Sequence, residues 1–233
     1  MLSPWLEANR FGVGGAQGVQ DNNNIKAGES SISSFDVPHR LVLSYVVDLP
    51  FGKGKHFLPD VTGVAGKLIS GWGVNGITTF QSGFPLAMMN ASPNTLVNNW
   101  GIGNAGPGTG AGVTRPNVVS GCDKTASGSK GDLLKKYFNT ACFSAPGAFE
   151  FGNEPRVDPD LRAMGQNNFD FVLLKNTKLT ERFGLQFRAE AFNLFNRVQF
   201  SPPNTQFGAA QFGQVTAQYN QPRLLQFGLR LSY

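Results

Sequence analysis

The final eleven residues, Arg223-Leu-Leu-Gln-Phe-Gly-Leu-Arg-Leu-Ser-Tyr233, alternate in character along their length. Leu225, Phe227, Leu229, Leu231 and Tyr233 fall on one side; Gln226, Gly228, Arg230 and Ser232 fall on the other. A period of two marks a β-strand, because successive Cβ atoms leave opposite faces of the backbone. About 9–11 such residues are enough to cross a bilayer when the strand is tilted. Soluble domains rarely finish on so apolar a strand with an aromatic last residue. Outer-membrane barrels commonly do.

The same period recurs upstream. In Arg40–Leu49, Leu41, Leu43, Tyr45, Val47 and Leu49 share a side, with Arg40, Ser44 and Asp48 opposite, and Pro50-Phe-Gly-Lys-Gly54 stops the strand. A second strand is predicted from Leu68 to Gln81, with Leu68, Trp72, Val74, Thr78 and Phe80 on one face and Gly71, Gly73, Asn75, Thr79 and Gln81 on the other. The glycines opposite Trp72 suit a crowded or sharply curved sheet. A third strand, Asn168–Leu179, groups Phe169, Phe171 and Leu173, although Val172 and Leu174 blur the alternation. After a tight polar turn at Thr180–Arg182, a fourth strand over Gly184–Phe195 sets Leu185, Phe187, Ala189 and Ala191 against Gln186, Arg188 and Glu190. Its phase slips near Phe192-Asn193, as at a bulge.

The connections alternate in length. Residues 1–37 read as a polar loop, with Gly12, Gly14, Gly15 and the Asn22–Asn24 run. Residues 82–167 form the longest irregular stretch, briefly helical only at Asp132–Phe138, and 196–222 form another long loop. Antiparallel strands put alternate connections on opposite edges, so the long connections share one edge and the short ones the other. Outer-membrane barrels have this asymmetry, with short periplasmic turns and long extracellular loops. It places Tyr233 at the periplasmic edge. The expected fold is therefore all-β: an antiparallel transmembrane β-barrel segment of about five strands, an incomplete barrel with long extracellular loops. Residues 1–37 are expected to be an extracellular loop of a preceding hairpin, and 38–233 the C-terminal strands, with 82–167 as the long loop.

Composition agrees. With 29 Gly, 20 Phe and only 15% charged residues in 233, the chain suits strands joined by irregular loops rather than a helical protein. No run approaches eighteen apolar residues, which excludes a transmembrane helix but not a barrel. Met1–Trp5 opens without a basic segment followed by an apolar one, so the chain is expected to be the tail of something longer. The net charge of +5 raises nucleic-acid binding, but Lys and Arg are scattered. The single local cluster is Lys53, Lys55, His56 and Lys67, without a nucleic-acid module around it. Basic residues at strand ends meet lipid phosphates equally well.

Few residues offer chemistry. Cys122 and Cys142 share the long loop, and in an oxidising compartment they are expected to form a disulfide worth about 3 kcal/mol in the chain-entropy model. The competing reading is two free thiols. Gly101-Ile-Gly-Asn-Ala-Gly106 matches the dinucleotide fingerprint as a string but lacks the strand before it and the helix after it. No phosphate-binding P-loop or nucleophile elbow occurs. His39 and His56 are the only histidines, and nothing selects either for catalysis. Arg188, Glu190 and Arg230 are candidate lumenal charges, set against the plainer reading of a solvated face. Trp72, Tyr45 and Phe187 fit either interfacial girdles or a soluble sandwich core, while depth along the strand favours the girdle for Tyr233. No catalytic residue, metal site or cofactor is expected, and the chain is not expected to be an enzyme.

Several segments resemble the C-terminal barrel strands of TonB-dependent receptors, specifically the Oar-like group with a carboxypeptidase-regulatory-like domain. They are Phe35-Asp-Val-Pro-His-Arg-Leu-Val-Leu-Ser-Tyr45, Leu49-Pro-Phe-Gly-Lys-Gly54, Gly71-Trp72 and Thr79-Phe-Gln-Ser-Gly-Phe-Pro85. Lys175-Asn-Thr-Lys178, Glu190-Ala-Phe-Asn-Leu-Phe-Asn196 and the terminal strand complete the set, which spans roughly residues 35 to 233. The resemblance implies an intact protein with a signal peptide, a plug and a barrel of about 22 strands that imports bulky nutrients with energy from TonB. It implies contact with TonB only through the plug, which is expected to lie outside these residues. Outer-membrane lipid and the barrel-assembly machinery are the expected partners, with nucleic acid not among them. Phe227, Leu229, Leu231 and Tyr233 would supply the assembly signal. About five strands cannot close a barrel, so the chain is expected to be a fragment. The alternative is a soluble secreted β-sheet module that binds glycans or acts as an adhesin.

Overall fold

Alternation becomes pairing in the computed structural model, which describes residues 20–21, 24, 29–91, 114–147 and 150–233. The elements are β1 (Arg40–Asp48), α1 (Gly63–Ile69), β2 (Trp72–Gln81), β3 (Met89–Asn90), β4 (Asn117–Val118), α2 (Lys130–Lys135), β5 (Phe143–Ser144), β6 (Gln166–Lys178), β7 (Gly184–Phe192), β8 (Gln206–Phe207) and β9 (Leu224–Ser232). The chain divides into two units. The Gly101–Gly106 string and most of residues 1–37 lie outside the described residues.

One unit, built from residues 39–81, 166–199 and 219–233, is a five-stranded sheet in the order β1-β2-β6-β7-β9. All four strand pairs are antiparallel. Strand neighbours follow chain order, so the long connections after β2 and β7 leave from one edge and the shorter ones after β1 and β6 from the other. The register is staggered: Gln166–Asp170 of β6 pair with β2 but precede the pairing with β7, while Asn176–Lys178 pair only with β7. Such a stagger is what a tilted, curling sheet requires. The sheet is open, because β1 and β9 each pair on one side only.

Local chemistry sets the limits of the strands. The second strand begins at Trp72 and not at Leu68, because residues 63–69 coil into α1 and Leu68 is exposed there. The Lys67 Nζ donates to Leu179 O at 3.1 Å and the Trp72 Nε1 to Leu68 O at 2.9 Å, which hold α1 against the strand ends. Gly71 takes a positive φ of 80°, and a Cβ there would meet Asn176 O at 2.1 Å, so only glycine fits. Tyr45 lies across Gly76, its register partner: a Cβ on Gly76 would meet the Tyr45 hydroxyl at 2.3 Å. The phase slip near Phe192-Asn193 is a strand end rather than a bulge. Asn193 turns to φ 51°, a region Asn tolerates, with its N–H donating to Asp170 Oδ1 at 3.0 Å.

The other unit comprises residues 1–38, 82–165 and 200–218. The 82–167 connection, expected to be irregular, instead carries a packed core. Leu86, Met88, Phe138, Cys142, Phe143 and Leu161 are buried together, with Phe207 and Phe212 against them. Phe138, Phe143 and Phe212 pack edge to face with centroids 5.0–5.6 Å apart, and Phe207 joins through Phe212 at 5.5 Å. Edge-to-face contact suits the ring quadrupole. Segments far apart in the chain are sewn together: β3 pairs with β8 in parallel, β4 with β5 antiparallel, and Val215 N donates to Leu134 O at 2.8 Å. The helix expected at Asp132–Phe138 lies earlier, as α2 over Lys130–Lys135, opened by a Ser129–Asp132 capping box.

Candidate functional site

The sheet has two chemically distinct faces, and the register makes each continuous across five strands. One row runs Tyr45, Gly76, Phe171, Ala191, Leu225; the next runs Val47, Val74, Leu173, Ala189, Phe227. Toward the foot come Trp72, Lys175, Phe187, Leu229 and then Thr177, Leu185, Leu231. This face is apolar except near its ends and at Thr78. On β6, Asn167 and Lys175 bound the stretch Phe169, Phe171, Leu173. Eight residues at about 3.4 Å, tilted about 40°, span roughly 20 Å in depth, close to the apolar band of about 25 Å on a membrane barrel.

The apolar face is not covered. Leu225, Phe227, Leu229 and Leu231 are 54–71% exposed, and Tyr233 is fully exposed. A contiguous patch of this extent marks a surface made to meet an apolar partner. This exposure is the opposite of a sandwich core. Of the aromatics read as girdle candidates, Tyr45 lies in mid-sheet over Gly76, Phe187 stacks near Phe227 at 6.4 Å, and Trp72 lies at the foot beneath Lys175, whose Nζ is 4.8 Å from the ring centroid.

The opposite face carries Ser44, Asp48, Asn75, Thr79, Asn168, Asp170, Asn176, Gln186, Arg188, Glu190, Gln226 and Arg230. Val172 and Leu174, which blurred the pattern, sit on it between Asn75 and Glu190 and between Gly73 and Arg188, and Val42, Val46 and Ile77 share it on β1 and β2. Arg188 and Glu190 form an ion pair along β7. Arg230 lies on the same face opposite Gln186 and takes no part in that pair. The expected charge trio is thus a pair and a neighbour.

In the loop unit, Cys122 and Cys142 are bonded, with Cα atoms 5.6 Å apart across a separation of 20 residues. Two charged groups there escaped sequence reading. The Arg115 guanidinium grips both Glu29 carboxylate oxygens, at 2.8 and 2.7 Å, with both side chains buried. Burial alone would raise the Glu29 pKa, but the hydrogen bonds and charge of Arg115 and the N–H groups of Gln20 and Asp21 hold it below the usual range. Nearby in the chain, Lys124 Nζ bridges Asp158 and Asp160 at 2.8 Å. Their hydrogen bonds outweigh the burial that would lower the Lys124 pKa, and it is raised. Glu154 is 1% exposed, and its carboxylate oxygens accept no hydrogen bond among the described residues. Burial, then the Asp158 charge, push it to about 8, with Lys124 and Arg115 opposing. Charged residues more than 80 apart in sequence carry no periodic signal, so pairing such as Arg115–Glu29 was not legible. Among the described residues, no group of three or more His, Cys, Asp or Glu is placed to hold a metal.

A two-faced antiparallel sheet with staggered strands, long connections on one edge and an uncovered apolar face defines the wall of a membrane β-barrel. A family model described as an outer membrane beta barrel domain matches residues 4–226, and the chain belongs to that family. Its place is the outer membrane. No curated protein and no solved structure matches it.

Proposed function

We propose that this chain is the C-terminal part of a TonB-dependent, Oar-like receptor barrel that takes up bulky nutrients when intact, and that it performs no chemistry of its own. The observation that carries the reading is the division of labour between the two edges of the sheet. The long connections leave one edge, and with residues 29–38 they fold into a cored, disulfide-bonded unit, as suits the outer mouth of a large transporter. The short connections leave the other, periplasmic edge. The apolar face meets lipid, and the Arg188–Glu190 face lines the lumen.

In this reading the open edges of β1 and β9 are completed by further strands, since an unpaired edge cannot face hydrocarbon. Leu225, Phe227, Leu229, Leu231 and Tyr233 present the apolar, aromatic-ended strand that the barrel-assembly machinery recognises. The quickest test is the genomic sequence in frame upstream of this chain. The expected result is a plug with a TonB-contacting segment and enough strands to close a wide barrel. A small barrel without a plug would leave the membrane wall intact and remove the TonB-dependent reading.

A further inference from the structure

The short-connection end of the sheet is not merely a set of turns. Residues 49–71 fold back on the strand ends and bring a basic cluster, noted in sequence, into one place. Lys53 N–H donates to Ser70 Oγ at 2.9 Å. Lys175 Nζ donates to Ser70 O at 2.7 Å and to Lys67 O at 2.9 Å, and it caps the Trp72 ring. Lys67 reaches across to Leu179 O, joining this connection to the β6–β7 turn, where Lys178 and Arg182 lie. Across residues 48–71 and 175–184 the basic side chains Lys53, Lys55, Lys67, Lys175, Lys178 and Arg182 outnumber the acidic Asp48, Asp60 and Glu181. Lys55 alone among them is paired with one of these carboxylates, Asp48, at 3.5 Å.

Aromatic and aliphatic side chains share the same rim. Phe51 and Phe57 stack at 5.4 Å, His56 meets Phe57 edge-on at 4.7 Å, and Val64, Leu68 and Phe183 are exposed. Exposed rings mixed with lysines at the foot of an apolar strand face are the chemistry of a membrane interface, where apolar bodies enter the acyl boundary and ammonium groups reach phosphate. The net charge of the rim is positive. A zwitterionic surface offers it no net attraction; an anionic one does.

We propose that this rim, centred on Lys53, Lys55 and Lys67 with Trp72 and Lys175 beside them, binds the headgroups of anionic phospholipid and anchors the short-turn end of the barrel wall to that leaflet. The inference rests on the lipid-facing reading of the apolar face. Each exposed basic residue near an anionic surface strengthens partition about fivefold. Allowing for Asp48 beside Lys55, the three lysines together are worth about 10- to 100-fold.

The test is flotation of the refolded full chain with vesicles of phosphatidylcholine alone or with one third phosphatidylglycerol, at low salt. The wild type is expected to favour the phosphatidylglycerol vesicles at least tenfold. K53Q/K55Q/K67Q is expected to lose that preference while still floating with phosphatidylcholine, and K53R/K55R/K67R to keep it. Equal binding of wild type to both vesicles, a preference surviving in the glutamine variant, or its abolition by millimolar inorganic phosphate at matched ionic strength overturns the anionic-lipid site while leaving the apolar face standing. Failure of every form to bind either vesicle overturns the lipid-facing reading itself.

Discussion

Phe171 and Val172 are adjacent on β6, both half-buried, and face opposite sides of the same sheet. Phe171 lies midway between Asn167 and Lys175, the polar residues that bound its face, so it belongs at mid-depth of the apolar band. An arginine at the midplane of a barrel's lipid face costs about 2–4 kcal/mol. Phe171→Arg should therefore weaken folding into vesicles by that amount. Val172→Arg places the same cation between Asn75 and Glu190, where a carboxylate and an amide can receive it, and should change stability by less than about 1 kcal/mol. The gap is expected to reach at least about 2 kcal/mol, roughly 30-fold in the folding equilibrium. Guanidinium titration in vesicles of the barrel completed by its further strands reads both variants against wild type. Equal costs, or a greater cost at Val172, would refute the assignment of faces.

Glu154 makes the loop unit pH-sensitive. Its folded pKa near 8 stands above the ordinary 4.5, so between those values the folded chain holds a proton the unfolded chain has lost. Stability should fall as pH rises from about 4.5 to 8, by several kcal/mol at most, and Glu154→Gln should flatten the dependence of the thermal midpoint on pH. Arg115→Ala leaves the buried Glu29 carboxylate without its partner and should cost about 3–5 kcal/mol, seen as faster limited proteolysis of the loop unit. Reduction of Cys122–Cys142, or Cys122→Ser with Cys142→Ser, should cost about 3 kcal/mol for a closed loop of this length, while leaving β-sheet circular dichroism in place. Removing the counterpart of Phe227–Tyr233 from a complete barrel of this family strips β9 of most of its pairing with β7 and should abolish outer-membrane assembly, read as loss of heat-modifiable mobility on a gel.

The strands were legible because their information is local. Alternation at Leu225–Tyr233 and Leu185–Ala191 states which face each residue takes without reference to any other strand, and the register then aligned those faces row by row. The misplaced start at Leu68 has a local cause too: α1 is a single short helix whose Leu68 happens to fall in phase with Trp72. What stayed hidden was long-range. The core of Leu86, Met88, Phe138, Phe143 and Leu161 gathers residues spread over 76 positions of Gly- and Pro-rich chain, with no period to mark them. Glu154 drew no notice in the sequence, because the burial that raises its pKa has no signature there. The basic cluster of Lys53, Lys55, His56 and Lys67 was visible, but not its union with Lys175, which depends on that lysine donating to two carbonyls across the strand end.

The central claim is that one face of this sheet meets lipid and the other water. Spin labels placed singly at residues 224 to 232, in the barrel completed by its further strands and inserted into vesicles, test it directly through collision with oxygen and with a water-soluble nickel chelate. Labels at 225, 227, 229 and 231 should favour oxygen and those at 226, 228, 230 and 232 the chelate, alternating with a period of two. Uniform accessibility along the strand, or alternation in the opposite phase, would contradict the account.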